Sequence, residues 1–283
     1  MSLADDYALD RDAMQLIRAG TAQRMYVIGG VDTGKTTLAA GLADLLSADA
    51  GTAEVDLDAG QARIGLPTTF AWRMAGDRAP AGMYFAGNTS PAGQFDISVA
   101  GSAVMVGDAS AAADKVVIDT CGLAKGDAGR RLHHTTIDAV RADLVIGIQR
   151  GGELEGLLGP LEHGRRPRVI RARVPDAVKP RSRATRRSYR ARKFRAYFEE
   201  AQELRLPLSK TGILRPRRDP RGRIASLRGR DGRDAALAIV RAYDSPRGTI
   251  TVLTPAAERA EVASVVLGSL RIARDGRQLA REA

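Results

Sequence analysis

The sequence is poor in cysteine, tryptophan, lysine and histidine, and each shortage narrows what the chain is. Of its 283 residues only Cys121 is a cysteine. That excludes an intrachain disulfide and any zinc site built from several thiolates. A reducing cytoplasm is the expected setting. No run approaches the roughly 18 apolar residues of a membrane span, so no membrane partner is expected. The first ten residues hold no basic stretch followed by an apolar one, so no secretory signal is read there. Aromatics are only 4 %, yet hydrophobic residues reach 44 %, which is enough for a core and excludes global disorder. The length fits one large domain with a small appendage.

What is abundant is arginine, with 38 against 6 lysines and a net charge of +11. The charge is not spread evenly. Between Arg165 and Arg195 lie 12 arginines, 2 lysines and one aspartate, a local charge of +13, which leaves −2 for everything else. A near-neutral body with one basic segment points to a localised polyanion site. A solvated arginine-rich helix is the competing reading, although unpaired arginines crowded on one short helix repel one another.

Short continuous apolar runs alternate with helical patterns along the first two thirds of the chain. Strands are expected at 25–29 (MYVIG), 53–57, 83–86, 115–119 (KVVID), 143–148 and 168–174, and helices at 36–46, 93–112 and 128–140. That alternation predicts an α/β fold, a mostly parallel sheet covered by helices on both faces. After about residue 206, Pro, Gly and Arg punctuate short runs at 223–227, 236–242, 249–253 and 262–267, the pattern of a small β-rich C-terminal module. No internal repeat stands out. The expected organisation is a polar lead-in (1–24), an α/β domain (25–205) with an Arg-rich segment at about 176–198, and the β-rich module (206–283).

Gly29-Gly30-Val31-Asp32-Thr33-Gly34-Lys35-Thr36 satisfies G-x-x-x-x-G-K-[ST], between an apolar strand and an amphipathic helix. Glycines let successive backbone N–H groups turn toward phosphate oxygens, and the helix dipole adds to them. Gly29 through Lys35, with Thr36 and Thr37, are therefore the expected nucleotide cradle. Lys35 neutralises the β- and γ-phosphates, and the Thr36 hydroxyl is a Mg²⁺ ligand. Asp32 puts a negative charge beside those phosphates; it either accepts a hydrogen bond from the acceptor or stabilises the loop. Asp56 and Asp58 lie at the end of the second strand, where ligands gather in a parallel sheet. Asp56 follows the apolar run directly and is favoured as the base or metal-water ligand. Asp119, closing KVVID, is the second metal candidate, in the manner of a Walker B aspartate. For all three, capping of a following turn is the competing role, most strongly for Asp58.

Residues 181–198 read as a helix after Pro180. Arg183, Arg187 and Arg190 share one face by their spacing. Phe194, Tyr197 and Phe198 are expected to anchor it to the body. The arginine face either contacts nucleic-acid phosphates or closes over the nucleotide as a lid.

In order along the chain, these segments resemble the polynucleotide 5′-hydroxyl kinases of the RNA-processing type, found in pre-mRNA cleavage and ribosomal-RNA maturation. GGVDTGKTT resembles the family's P-loop, including the aspartate two before the last glycine. VDLDAGQARIGLP resembles its D-x-D-x-G-Q segment, and YFAGNTSP its acceptor clasp. VVIDTCGLAKGDAG and DLVIGIQRGGELEGLL resemble the next two strands with their loops, and TVLTPAAERAEVASVVLGSLRI the C-terminal β-module. The Arg183-to-Arg187 spacing is similar to that of the family's lid arginines. The resemblance covers most of residues 25–272. It implies that Lys35 and Thr36 hold phosphate and Mg²⁺, that Asp56 is the base, that Gln61 and Thr89 meet the acceptor, and that Arg183 and Arg187 serve the transferring phosphoryl group. Leu123 departs from the family by standing where larger members carry a base-stacking tryptophan. The eukaryotic N-terminal β-domain is expected to be absent. The implied activity is transfer of the γ-phosphate of ATP or GTP, with Mg²⁺, to the 5′-OH of RNA and/or DNA. A P-loop ATPase or GTPase switch, or an inactive nucleotide-binding scaffold, are the alternatives; retention of Lys35, Thr36 and Asp56 argues against the last. No protein partner is read from the sequence.

Overall fold

The computed structural model describes residues 2–19, 21–256 and 261–279; residues 257–260, inside the segment matched to the C-terminal β-module, lie outside it. Two short helices, α1 (Leu3–Tyr7) and α2 (Arg11–Ala19), precede β1 (Arg24–Gly29), α3 (Lys35–Ser47) and β2 (Thr52–Asp56). Then come β3 (Thr69–Met74), β4 (Gly82–Phe85), α4 (Phe95–Ala112), β5 (Lys115–Asp119), α5 (Gly126–Val140), β6 (Leu144–Gln149), α6 (Glu155–Glu162) and β7 (Arg168–Arg173). Helix α7 (Arg183–Tyr197) leads into β8 (Gln202–Pro207), β9 (Gly212–Leu214), β10 (Arg223–Arg228), β11 (Asp234–Asp244), β12 (Thr249–Thr254) and β13 (Ser264–Arg271).

The first sheet has seven strands in the order β4-β3-β2-β5-β1-β6-β7. The five from β2 to β7 are parallel, and β3 and β4 add to the β2 edge as an antiparallel pair. The fully apolar interior of β1 and β6 explains their central positions, since a strand covered on both faces has no solvent side to alternate toward. One face is covered by α4, α5 and α6, around Tyr26, Ile28, Met105 and Leu158. The other is covered by α1, α2 and α3, where Tyr7, Ile17, Leu38 and Leu42 are buried. Each such side chain contributes roughly 1.5–3 kcal/mol by leaving water. The N-terminal residues are thus part of the sheet's cover.

Among the described residues the second sheet has six strands, ordered β8-β12-β11-β10-β13-β9. It begins at Gln202, earlier than the change in pattern at 206 suggests, because β8 alternates charged and apolar residues as an edge strand does. Phe194 of α7 and Phe198 just beyond its end pack with Phe85, Ile224, Leu237 and Leu270. The Tyr197 hydroxyl accepts a hydrogen bond from the Leu237 N–H at 2.9 Å. These aromatics hold α7 to the body, the packing role expected of them. The strands β3, β8 and β9 were not anticipated from the sequence. No helix among the described residues is long and apolar enough to cross a membrane.

Candidate active site

The loop between β1 and α3 takes left-handed backbone at Asp32 (φ 54°) and Gly34 (φ 86°). A Cβ at Gly34 would also come within 2.7 Å of the Tyr7 hydroxyl. That hydroxyl donates to the Gly34 carbonyl at 2.8 Å, so α1 braces the loop from behind. Thr33 Oγ1 and Lys35 Nζ both donate to the Gly30 carbonyl, at 3.0 and 2.7 Å. Helix α3 starts at Lys35, so its free N–H groups open toward the same space.

Strands β2 and β5 end side by side, with Asp56 opposite Asp119 in register. The two carboxylates have different surroundings. Asp56 is buried and accepts from the Asp58 N–H at 3.0 Å, the Arg63 N–H at 2.5 Å and the Ile64 N–H at 3.1 Å. Both of its oxygens are committed to the loop that follows. Asp119 is buried, and its Oδ1 has no hydrogen-bond partner. Burial raises its pKa; the Lys35 charge and the Thr36 hydroxyl oppose that rise. Asp58 is half-buried; its Oδ1 accepts from the Gly60 and Gln61 N–H groups at 2.9 and 3.0 Å. Among the described residues Oδ2 has no hydrogen-bond partner. Desolvation lifts the Asp58 pKa against the pull of Lys35.

Val31 through Thr37 line a cleft of about 500 Å³, together with Asp58, Gln61, Thr89, Leu123, Arg186 and Arg190. Gly29 and Gly30 are not among the residues that line it. The close approach of the Gly60 and Thr89 backbones, where a Cβ would meet Thr89 O at 2.7 Å, joins the D-x-D-x-G-Q loop to the segment before α4. Val31 through Thr37 of the expected cradle, Gln61 and Thr89 therefore share one cavity.

Three expectations need correction. Asp56 does not face the cleft; Asp58 does, because the backbone turns immediately after β2 and Asp56 is spent on stabilising that turn. Asp56 is for the same reason poorly placed as a metal ligand, whereas Asp119 and Thr36 remain together. Arg183 and Arg187 are exposed on the far face of α7, and Arg186 and Arg190 take the cleft side. The expected common face of Arg183, Arg187 and Arg190 is divided: Arg190 lines the cleft, and Arg183 and Arg187 do not. Phe194, buried at the foot of the helix, fixes the helix phase: counting back by fours gives 190 and 186, a signal the sequence already held. Arg190 is half-buried and makes no hydrogen bond or ion pair among the described residues; burial lowers its pKa.

Sequence reasoning also missed Lys193, whose Nζ donates to the carbonyls of Ala62 (2.7 Å), Arg63 (3.2 Å) and Gly65 (2.8 Å). The Tyr189 hydroxyl donates to Ala62 O at 2.8 Å. These bonds tie α7 to the loop carrying Asp58 and Gln61.

The donor set fits Mg²⁺. Thr36 Oγ1 and Asp119 are hard oxygen donors, and the buried, unpartnered Asp119 oxygen is costly unless it meets a cation or its water. Among the described residues no cluster of three or more Asp, Glu, His or Cys could cage a metal unaided. That suits an ion held by one or two protein groups together with substrate phosphates.

A family model described as the mRNA cleavage and polyadenylation factor CLP1 P-loop matches residues 29–200. The polyribonucleotide 5′-hydroxyl-kinase of Methanocaldococcus jannaschii is 33 % identical over 187 residues, 63 % of this chain and 51 % of that protein. The similarly named protein of Pyrococcus furiosus is 33 % identical over 211 residues, 71 % of this chain and 58 % of its own length. The matched part thus spans little more than half the length of these curated relatives. Among solved structures, Clp1p in the wild-type Clp1p–Pcf11p complex shares the fold, with a TM-score of 0.74 at 13 % identity, covering 95 % of this chain and 79 % of that one.

Proposed function

The chain belongs to the CLP1 P-loop family, and from that premise we propose that it is a polynucleotide 5′-hydroxyl kinase. It moves the γ-phosphate of ATP or GTP to the 5′-OH of a nucleic acid. RNA is the favoured polymer, since relatives at 33 % identity carry the name polyribonucleotide 5′-hydroxyl-kinase. The observation that carries the reading is the shared cleft: P-loop, Asp58, Gln61, Thr89 and two arginines of α7 line one cavity. A hydrolase needs no such acceptor wall.

Phosphoryl transfer asks the protein for positioning and charge neutralisation more than for covalent chemistry. The P-loop N–H groups and Lys35 hold the donor phosphates. Thr36 and Asp119 would hold Mg²⁺, which when bound screens the charge of the β- and γ-phosphates. Asp58 is the base: as the acceptor oxygen bonds to the γ-phosphorus and the β–γ bridging bond breaks, the hydroxyl proton passes to Asp58 Oδ2. Arg186 and Arg190 meet the charge on the phosphoryl oxygens, the role of an arginine finger supplied in cis. A cytoplasmic setting accords with the single cysteine.

The test is labelling of matched 5′-OH RNA and DNA oligonucleotides from γ-labelled ATP or GTP with Mg²⁺. The RNA should be labelled, and Lys35→Ala should abolish it. Nucleotide binding without labelling of either polymer would overturn the proposal.

A further inference from the structure

A carboxylate on a phosphate-binding loop works against the ligand the loop is built for. Asp32 nevertheless occupies that place, in left-handed backbone (φ 54°) that only a few side chains accept without strain. Its partners come from outside the loop. Asp32 Oδ2 accepts from the Arg181 N–H at 2.8 Å and from Arg186 Nη2 at 2.5 Å. The side chains of Arg186 and Asp32 are only 23 % and 13 % exposed. The Asp32 carbonyl accepts from Arg150 Nη2 at 2.9 Å. The other end of α7 is fastened differently, by Tyr189 and Lys193 on backbone carbonyls at 62–65. Those bonds end on backbone carbonyls, and Lys193 is not among the residues that line the cleft. The Asp32 end is an ion pair at the lip of the phosphate cradle, and Arg186 lines the same cleft.

We propose that Asp32 is a positioning residue that latches α7 through Arg186 and yields the arginine to the nucleotide's terminal phosphate. This rests on the reading of the P-loop as the donor site. In the free protein Asp32 holds Arg186 beside the cradle and so keeps α7 over the cleft. A triphosphate offers more negative charge to the same guanidinium and takes it. After transfer the diphosphate offers less, Asp32 regains Arg186, and the product is released. Asp32 thus competes with bound nucleotide for one arginine, and its removal should tighten nucleotide binding rather than weaken it.

The test is equilibrium binding of a non-hydrolysable ATP analogue and of ADP, each with Mg²⁺, to the wild-type chain, Asp32→Asn, Arg186→Ala and the double variant. Asparagine tolerates positive φ, so Asp32→Asn keeps the loop while removing the charge. The expected result is binding about three- to tenfold tighter in Asp32→Asn, with the larger gain for the ATP analogue and a clearly smaller gain when Arg186 is already alanine. Amide exchange across residues 176–190 of the nucleotide-free protein should speed up in Asp32→Asn. Weaker or unchanged binding in Asp32→Asn, or an equal gain in the Arg186→Ala background, overturns the latch. If the wild-type chain binds neither nucleotide, the donor-site reading fails and the exchange of partners with it. Unchanged amide exchange would then overturn the Asp32–α7 tie itself.

Discussion

Asp56 and Asp58 are two residues apart, and their difference illustrates how little separates a structural carboxylate from a reactive one. Asp56 ends a buried strand and has its oxygens filled by three backbone N–H groups. Asp58 keeps one oxygen free toward the cleft. Asp58→Asn should lower phosphoryl transfer by about 10²–10⁴-fold, the usual contribution of a positioned base, with nucleotide affinity retained. Because burial raises the Asp58 pKa, the acid limb of the wild-type pH–rate profile should lie above the ordinary carboxylate range. Activity is lost as pH falls through that raised pKa, and Asp58→Asn should abolish the limb. Asp56→Asn should show itself first as a loss of thermal stability. The sequence held the pair of aspartates but not the turn that sorts them, since either one can follow an apolar strand.

His133 makes a second prediction at this scale. It is buried, its Nδ1 lies 3.0 Å from the Tyr26 hydroxyl, and its Nε2 has no partner. Burial pulls its pKa from 6.5 to about 3. Between those values the unfolded chain binds the proton and the folded chain does not, so stability is lost as pH falls. From this residue alone the loss from pH 6.5 to 5 should be about 2 kcal/mol. Urea unfolding at both pH values should show a smaller acid loss for His133→Gln than for the wild type.

At the scale of elements, the strands of the parallel sheet were legible because fully buried strands read as unbroken apolar runs. The antiparallel edge pair was only half legible. Trp72-Arg73-Met74 ends β3 with no clean alternation, because Arg73 is turned onto Glu54 of the neighbouring strand. The phase of α7 was missed for a different reason. Arginines occupy both of its faces, so charge cannot orient the helix and only its aromatic foot can. The two faces should separate in experiment. Arg186→Ala and Arg190→Ala should lower kcat for transfer with modest change in oligonucleotide affinity. Arg183→Ala and Arg187→Ala should leave kcat near wild type and each reduce the salt slope of oligonucleotide binding by up to about 0.7. Equal behaviour of all four would contradict the assignment of faces.

At the scale of the whole molecule, the two sheets are bolted together beside the acceptor wall. Asp234 of β11 is buried and accepts from the Phe85 N–H of β4 at 2.8 Å, and also from Ser226 Oγ and Arg228. Arg215 Nη1 reaches the Phe85 carbonyl at 3.0 Å, and the Ser269 N–H donates to Gly87 O at 2.9 Å. The chain just beyond β4 carries Thr89. The second sheet therefore sets where the acceptor segment lies. Asp234→Ala should destabilise the fold by about 3–5 kcal/mol, as removal of one partner of a buried pair does, read by denaturant unfolding. In the surviving folded protein it should raise the KM for oligonucleotide more than the KM for nucleotide. A long-range bond of this kind has no sequence signature, because residues 85 and 234 meet only through the folded topology.

The charge that dominates the composition also acts at this scale. Part of the basic segment is consumed internally, with Arg166 on Asp143, Arg171 on Glu155 and Glu162, and Arg186 on Asp32. What remains outward is a smaller patch than the composition suggests, beside the cleft proposed to take donor and acceptor on its two walls. The central claim is that these walls act together, and the most direct measurement is nucleotide consumption in a single turnover with and without acceptor. With γ-labelled nucleotide, Mg²⁺ and a 5′-OH RNA oligonucleotide, the label should move to the RNA. With the same RNA bearing a 5′-phosphate, or with none, nucleotide should persist. Release of free phosphate at the same rate in all three reactions would contradict the account.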